Sequence, residues 1–360
     1  MANMHRQSLN EMVEKALQEV SPGPLDGLAI TTGPGLPPCL GVGLEIASEW
    51  ARKLSVELMS VNHLEAHLLM PLMFAPQVKY PYLVFLVSGG HCMVVLARGL
   101  GQYEVIGSTE DDSVGEAFDK TARLLGECMD GDIYETARTI MKETQVGDCN
   151  FEHLSGGSLI ETLARRGDPD AINLAVPLRK AERRYDIAFS FSGIKTDVLK
   201  RVRAAQNRNL STHEVHKSLP ILRNSNKATL VPKDGKFTNE KLSTEMVCNM
   251  AASFQQTAFT HLLEKLQLAL WRYKSETTTL IVSGGVSANS YFRERLKKMT
   301  DEAEFDLLVA PIRYCTDNAV MIGFTALQRL HNKCHQPVEL PIKEQSRWPI
   351  TTLDSYYRYD

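Results

Sequence analysis

The sequence predicts an α/β protein built from two similar domains around a nucleotide cleft. Two observations carry this. Short apolar strands alternate with amphipathic helical stretches along most of the chain, the pattern of an α/β fold. In addition, Val87-Ser88-Gly89-Gly90 closes one apolar strand and Val282-Ser283-Gly284-Gly285 closes another 195 residues later. A glycine pair after a strand lets backbone N–H groups approach an anion, so each is a candidate phosphate loop, and the repetition suggests a duplicated cleft across two domains.

The N-terminal twenty residues carry acids and amphipathic spacing and read as a surface helix. Residues 27–32 read as a buried strand, followed by the turn-rich GPGLPP and a helix over 40–54. Residues 82–88 and 92–97 form a candidate hairpin hinged at Gly89-Gly90. A helix is expected over 114–125, a polar insertion or mobile loop over 127–150, and a second flexible insertion over 205–240, rich in Asn, Ser, Lys and Pro. A long helical region over 243–273 leads to strands at 279–283 and 305–310 and helices at 288–299 and 316–331.

Composition narrows the function classes. The 360 residues are 43% hydrophobic and 23% charged, as in a globular protein of two ordinary domains, and no apolar run is long enough to span a membrane. The seven cysteines are scattered and form no C-x-x-C pair, which argues against a disulfide framework or a thiolate zinc site and for a reducing compartment. The net charge of −3 conceals a block, Arg179 to Lys236, with fourteen basic residues against five acidic ones. Such a block suits an anionic partner such as RNA, or is a solvated face.

Three segments carry candidate chemistry. His63-Leu64-Glu65-Ala66-His67 places two imidazoles at i and i+4, on one face of a helix, where they can share a metal. It lacks the H-E-x-x-H order of zinc proteases. Asp317, in Cys315-Thr316-Asp317-Asn318, is the best candidate third ligand, or a routine helix cap. Asp111 to Lys120 opens a helix, with Asp119 able to bond a ribose or another polar group. Phe189-Ser190-Phe191-Ser192-Gly193-Ile194-Lys195-Thr196 heads the basic block and offers aromatics for stacking on RNA, or for a core.

Together these segments resemble one family, the tRNA threonylcarbamoyladenosine transferases, called TsaD in bacteria and once described as O-sialoglycoprotein endopeptidases. The resemblance runs through TTGPGLPPCLGVGL (31–44), VNHLEAHLL (61–69), LVSGGHCMVV (86–95), DDSVGEAFDKTARLLG (111–126), FSFSGIKT (189–196), LIVSGGVSANSYFRERL (280–296) and CTDNAVMIG (315–323). It implies a two-lobed, actin-like ATPase fold. It also implies a divalent metal, iron or zinc, on His63, His67 and Asp317. Leu86, Val87, Ser88, Gly89 and Gly90 would hold phosphate through their backbone, and Asp119, Gly157 and Asn289 would contact the nucleotide-like substrate. No catalytic residue beyond these is implied.

The implied reaction moves threonylcarbamoyl from threonylcarbamoyl-AMP to the exocyclic amine of the adenosine beside the anticodon in tRNAs reading codons that begin with A. The partners implied are tRNA, the adenylate and a second copy of the chain, with no membrane. The family's pattern opens with a strand bearing a Glu-Thr-Ser-type motif that this sequence does not show. Residues 1–80 are therefore expected to be the remainder of an incomplete first lobe, 81–330 the second lobe, and 331–360 a tail returning to the first. An impaired form serving as a tRNA- or partner-binding subunit is the alternative, and a metallopeptidase is disfavoured. Ala66 stands where the family usually has Gly. Leu154-Ser155-Gly156-Gly157-Ser158 stands in place of its Pro-Gly-Gly-Pro, a form that resembles the eukaryotic organellar branch and implies mitochondria.

Overall fold

The computed structural model describes residues 2–19, 24–144, 154–208, 240–334 and 343–356. The chain opens with helix α1 (Ala2–Glu19), strand β1 (Gly27–Gly33), helix α2 (Pro37–Leu54) and strand β2 (Glu57–Asn62). β1 and β2 pair in parallel as a two-stranded sheet. Val42, Ile46 and Trp50 of α2 form a small core that α1 covers with Leu9, Val13 and Leu17. Helix α3 (His63–Leu69) follows β2 without a gap and runs into a 3-10 turn, Met70–Phe74.

The larger sheet has six strands: β3 (Tyr82–Val87), β4 (Cys92–Gly99), β5 (Gln102–Thr109), β6 (Ala188–Phe189), β7 (Thr279–Ser283) and β8 (Asp306–Val309), in the order β6-β5-β4-β3-β7-β8. Every residue of β3 is buried, because apolar layers cover both faces of the sheet. One layer is helical and comprises α4 (Val114–Cys128), α5 (Ile133–Glu143), α6 (Gly156–Ala164), α7 (Ser192–Arg208), α8 (Thr244–Tyr273) and α9 (Ser290–Ala303). The last long helix, α10 (Ala319–His331), packs instead on β1, β2 and α3, although the sequence groups it with the second lobe. Helix α11 (Leu353–Tyr356) ends the described chain.

The C-terminal segment bridges the two sheets. The Gln345 N–H donates to Thr32 O at 2.8 Å, and the Gly35 N–H to Ser346 O at 3.4 Å. Asn62 Nδ2 donates to Trp348 O at 3.2 Å. Trp348, Ile350 and Leu353 then bury against Tyr82, Val84 and Leu86 of the large sheet.

Two expectations are corrected. Residues 133–143, read from sequence as part of an irregular insertion, form α5. Asp132 caps it by accepting the Tyr134 and Glu135 N–H groups at 2.7 and 3.1 Å. Ile133, Ala137, Ile140 and Met141 supply its buried stripe. Residues 145–150 lie outside the described residues, as do 209–239 of the second expected insertion, whose residues 205–208 complete α7. The duplicated cleft is also corrected. β3 and β7 are parallel neighbours in one sheet, with Leu86 opposite Ser283, so both Ser-Gly-Gly loops leave adjacent strands of a single lobe.

Candidate functional site

Asn62 starts α3. Its side chain, wholly buried, accepts the Leu64 and Glu65 N–H groups at 2.9 and 3.2 Å, which makes His63 the first helical residue. Leu64 and Leu68 enter the core under the large sheet, while Ala66 and Met70 enter the contact with α10. That leaves one face for His63 and His67, whose rings meet edge-on with centroids 4.7 Å apart. The residue that caps α10 is Asn318, which accepts the Met321 N–H at 3.0 Å. Asp317 is thus free of the capping role and turns to the histidines. Its Oδ1 lies 3.0 Å from His67 Nε2 and 3.7 Å from His63 Nε2, and one ligand atom from each residue falls within 4.8 Å of the others.

The electrostatics suit a cation. Burial, then the neighbouring His67, lowers the His63 pKa to about 4, so this imidazole is neutral at physiological pH. The hydrogen bond from His67 holds the Asp317 carboxyl below its ordinary range. Two imidazole nitrogens and a carboxylate are a donor set for a divalent transition metal. His67 is 2% exposed and the Asp317 side chain 77%, so the set is closed on one side and open on the other. The three residues fit a metal that keeps a free coordination position.

A buried cluster fixes the two elements that meet here. Glu65, between the two histidines, is fully buried and receives Arg329 Nε at 2.9 Å, Arg329 Nη2, and the Tyr103 hydroxyl at 2.8 Å. Arg329 lies in the last turn of α10, so the ion pair locks α3 to the helix that Asp317 precedes. Arg293 of α9 is a second tie. It donates to Ser287 O at 2.5 Å, to Ala310 O at 3.1 Å and to Cys315 Sγ at 3.2 Å, joining the loop after β7 to the segment that leads to Asp317. Sequence reasoning missed all of these, because most of the partners are remote in the chain and the near one, Ser287, is a backbone carbonyl. It also missed His91, whose one signal was its place directly after Ser88-Gly89-Gly90. Its N–H donates to Ser88 Oγ at 3.0 Å, and the Ser88 N–H returns a bond to His91 O at 2.8 Å. Burial, then His67, lowers its pKa.

The side chains of Leu86 and Val87 are buried, so only their backbone can face a ligand. Gly89 and Gly90 are exposed, with open space where a Cβ would stand. Ser113, the cap of α4, donates to Gly89 O. Asp119, one turn into α4, meets the start of α6, where the Gly156 and Gly157 N–H groups bond its carboxylate. Burial nonetheless raises its pKa. A Cβ on Gly156 would overlap Asp119. Both Asp119 and Gly156 line a cavity of about 580 Å³, together with Arg123, Gly131 and Ile133. Asn289 stands apart from that cavity. Its Oδ1 caps α9 by accepting the Phe292 N–H at 2.9 Å, and its Nδ2 donates to Gln255 at 3.0 Å.

The segment 189–196 resolves toward its structural alternative. Phe189 and Phe191 are fully buried and contact the buried His261 edge-on. Asp111 organises the segment by accepting Ser190 Oγ and Ser192 Oγ, each at 2.6 Å, and the Phe191 N–H at 2.8 Å. In the basic block, Arg179 pairs with Glu264, Arg183 with Glu110 and Asp186, and Lys195 with Asp112. These three cations are thereby paired within the chain.

The sequence pattern of TsaD, tRNA N6-adenosine threonylcarbamoyltransferase, matches residues 1–324. The chain belongs to this family of transferases. A Rhizobium johnstonii tRNA N6-adenosine threonylcarbamoyltransferase is 35% identical over 357 residues, covering 97% of this chain and 80% of the relative. A probable mitochondrial member from Arabidopsis thaliana is 31% identical, covering 96% of this chain and 64% of the relative. Among solved structures, full-length HypF in its phosphate- and nucleotide-bound form superposes with a TM-score of 0.50 at 13% identity. The match covers 90% of this chain and half of HypF, and it shows a shared fold. The α/β, two-lobed, actin-like architecture of the family agrees with the two sheets described above.

Proposed function

We propose that the chain transfers the threonylcarbamoyl group of threonylcarbamoyl-AMP to the exocyclic amine of the adenosine beside the anticodon, in mitochondrial tRNAs that read codons beginning with A. The observation that carries this reading is the convergence of His63, His67 and Asp317 in a chain that matches the transferase family over residues 1–324. The mitochondrial setting draws on the plant relative and on the Ser-Gly-Gly form at 155–157, and action as a homodimer on the family resemblance.

In this reaction the amine nitrogen attacks the carbamoyl carbon and a new N–C bond forms. The bond from that carbon to the phosphate oxygen breaks, AMP departs with the electron pair, and the amine proton passes to solvent. His63, His67 and Asp317 would hold a divalent iron or zinc ion, which supplies Lewis acidity toward the donor when bound. The N–H groups of Gly89 and Gly90 would orient the phosphate, and Asp119 with Gly157 the nucleoside. The test is a single-turnover assay with threonylcarbamoyl-AMP and unmodified tRNA, read by mass spectrometry of the nucleosides. Formation of threonylcarbamoyladenosine, lost in Asp317→Ala, is the expected result. Its absence with the unsubstituted protein, or full activity in the variant, would refute the reading.

A further inference from the structure

Two exposed segments flank the triad without a role so far. Met73 and Phe74, 44% and 40% exposed, end the 3-10 turn that continues α3 beyond His67. Ile312, 62% exposed, opens another 3-10 turn, Ile312–Tyr314, just ahead of Asp317. Although far apart in sequence, the segments meet: the Phe74 and Tyr314 rings lie 5.2 Å apart, tilted by 41°. The Arg313 guanidinium carbon sits 4.6 Å from the Tyr314 ring centroid. Single exposed apolar side chains are ordinary. Several gathered with an arginine beside a reactive centre form a surface that calls for an occupant.

We propose that Phe74, Arg313 and Tyr314 form a stacking ledge for the nucleobase that flanks the acceptor adenosine of the tRNA. The inference rests on the transferase reading above and identifies where the RNA loop would dock. Bringing an adenine amine to the triad takes that base out of its loop stack, and the neighbour left behind loses a stacking partner. Proteins that read RNA loops replace such partners with aromatic faces and guanidinium planes. The ledge offers both, and the Arg313 charge also suits the adjoining phosphate. Its location fits, since three residues of chain place the Tyr314 Cα no more than about 11 Å from that of Asp317. A nucleobase is favoured over a protein partner because the reaction itself must deliver one to this rim.

The test uses a hairpin RNA carrying the anticodon loop, with 2-aminopurine substituted at either nucleotide beside the acceptor adenosine. Stacking on the ledge quenches 2-aminopurine fluorescence. The full chain should quench one of the two probes. Phe74→Ala and Tyr314→Ala should lose that quenching and bind the RNA roughly tenfold more weakly, whereas Tyr314→Trp should restore both. Metal content should not move in any variant, and Tyr314→Trp, which keeps a ring packed on the core beside Met70 and Met321, separates lost stacking from the stability cost of Tyr314→Ala. RNA binding and quenching left unchanged by both alanine variants would overturn the ledge and leave the transferase reading standing. Failure of the unsubstituted protein to bind the hairpin would overturn both.

Discussion

Ser88-Gly89-Gly90 and Ser283-Gly284-Gly285 are the same tripeptide at the ends of neighbouring parallel strands, yet they answer to different demands. Gly284 has φ +96°, and a Cβ there would overlap the carbonyl oxygen of Val87. The fold itself requires a glycine at that position. Nothing lies within 4 Å of a Cβ built on Gly89 or Gly90, so packing does not explain the glycines there. In the proposed reaction, close approach by the donor's phosphate is what would call for them. The two carboxylates nearest the histidines divide in the same way. Glu65 is buried and fully bonded within the chain, whereas the Asp317 side chain is 77% exposed and directed at the two histidines. One member of each pair is committed to the architecture, and the proposed chemistry falls to the other.

The sharpest break in this comparison is Gly284→Val. Strain at positive φ together with the overlap should cost about 4 kcal/mol of stability in urea unfolding. A change under 1 kcal/mol would show the two loops to be equivalent. Glu65→Ala follows, with an expected loss of about 3 kcal/mol, because it strands the Arg329 charge in the core. Glu65→Leu combined with Arg329→Met should recover much of that loss, and a double variant no better than the single would contradict the assignment.

Acid unfolding probes the buried histidines. The His261 pKa is lowered to about 4, chiefly by burial, so the folded state resists a proton that the unfolded chain accepts near 6.5. The stability His261 contributes is therefore complete above pH 6.5 and lost as pH falls from 6.5 toward 4. His63, in the metal-free protein, has the same sign and window. His261→Gln keeps an acceptor for the Ser190 N–H, which His261 Nε2 takes at 3.1 Å. This variant should flatten the dependence of melting temperature on pH in that window, and an unaltered profile would remove His261 from the account. The smallest effect on stability belongs to Gly89→Val, less than about 1 kcal/mol, accompanied by at least a tenfold loss of threonylcarbamoyl-AMP binding in calorimetry. Unimpaired binding would show that the open loop does not hold the phosphate.

The sequence made local periodicity legible and left long-range pairing dark. The two histidines of HLEAH lie on one helical face because i and i+4 always do. The alternation of strand and helix likewise led to the α/β class, and the motif segments carried the family resemblance. Helix α5 was hidden because acidic, polar residues surround a stripe of only four apolar ones, Ile133, Ala137, Ile140 and Met141. Strand β5 escaped because Tyr103 alone among its residues is fully buried. The Glu65–Arg329 pair spans 264 residues, and no local pattern announces a partner at that separation. The repeated Val-Ser-Gly-Gly misled for a related reason: a tetrapeptide marks how a strand ends and carries no information about which sheet the strand joins.

Asp317 offers the most direct measurement, because its exposed side chain takes no part in capping α10 and can be removed without disturbing the core. The account predicts that the purified protein carries about one divalent iron or zinc ion per chain by elemental analysis. Asp317→Ala should lose most of that metal while its melting temperature in the metal-free state stays within about 1 °C of the parent's, a shift expected for a surface substitution. Equal metal content in the two proteins would contradict the assignment of His63, His67 and Asp317 as the metal centre.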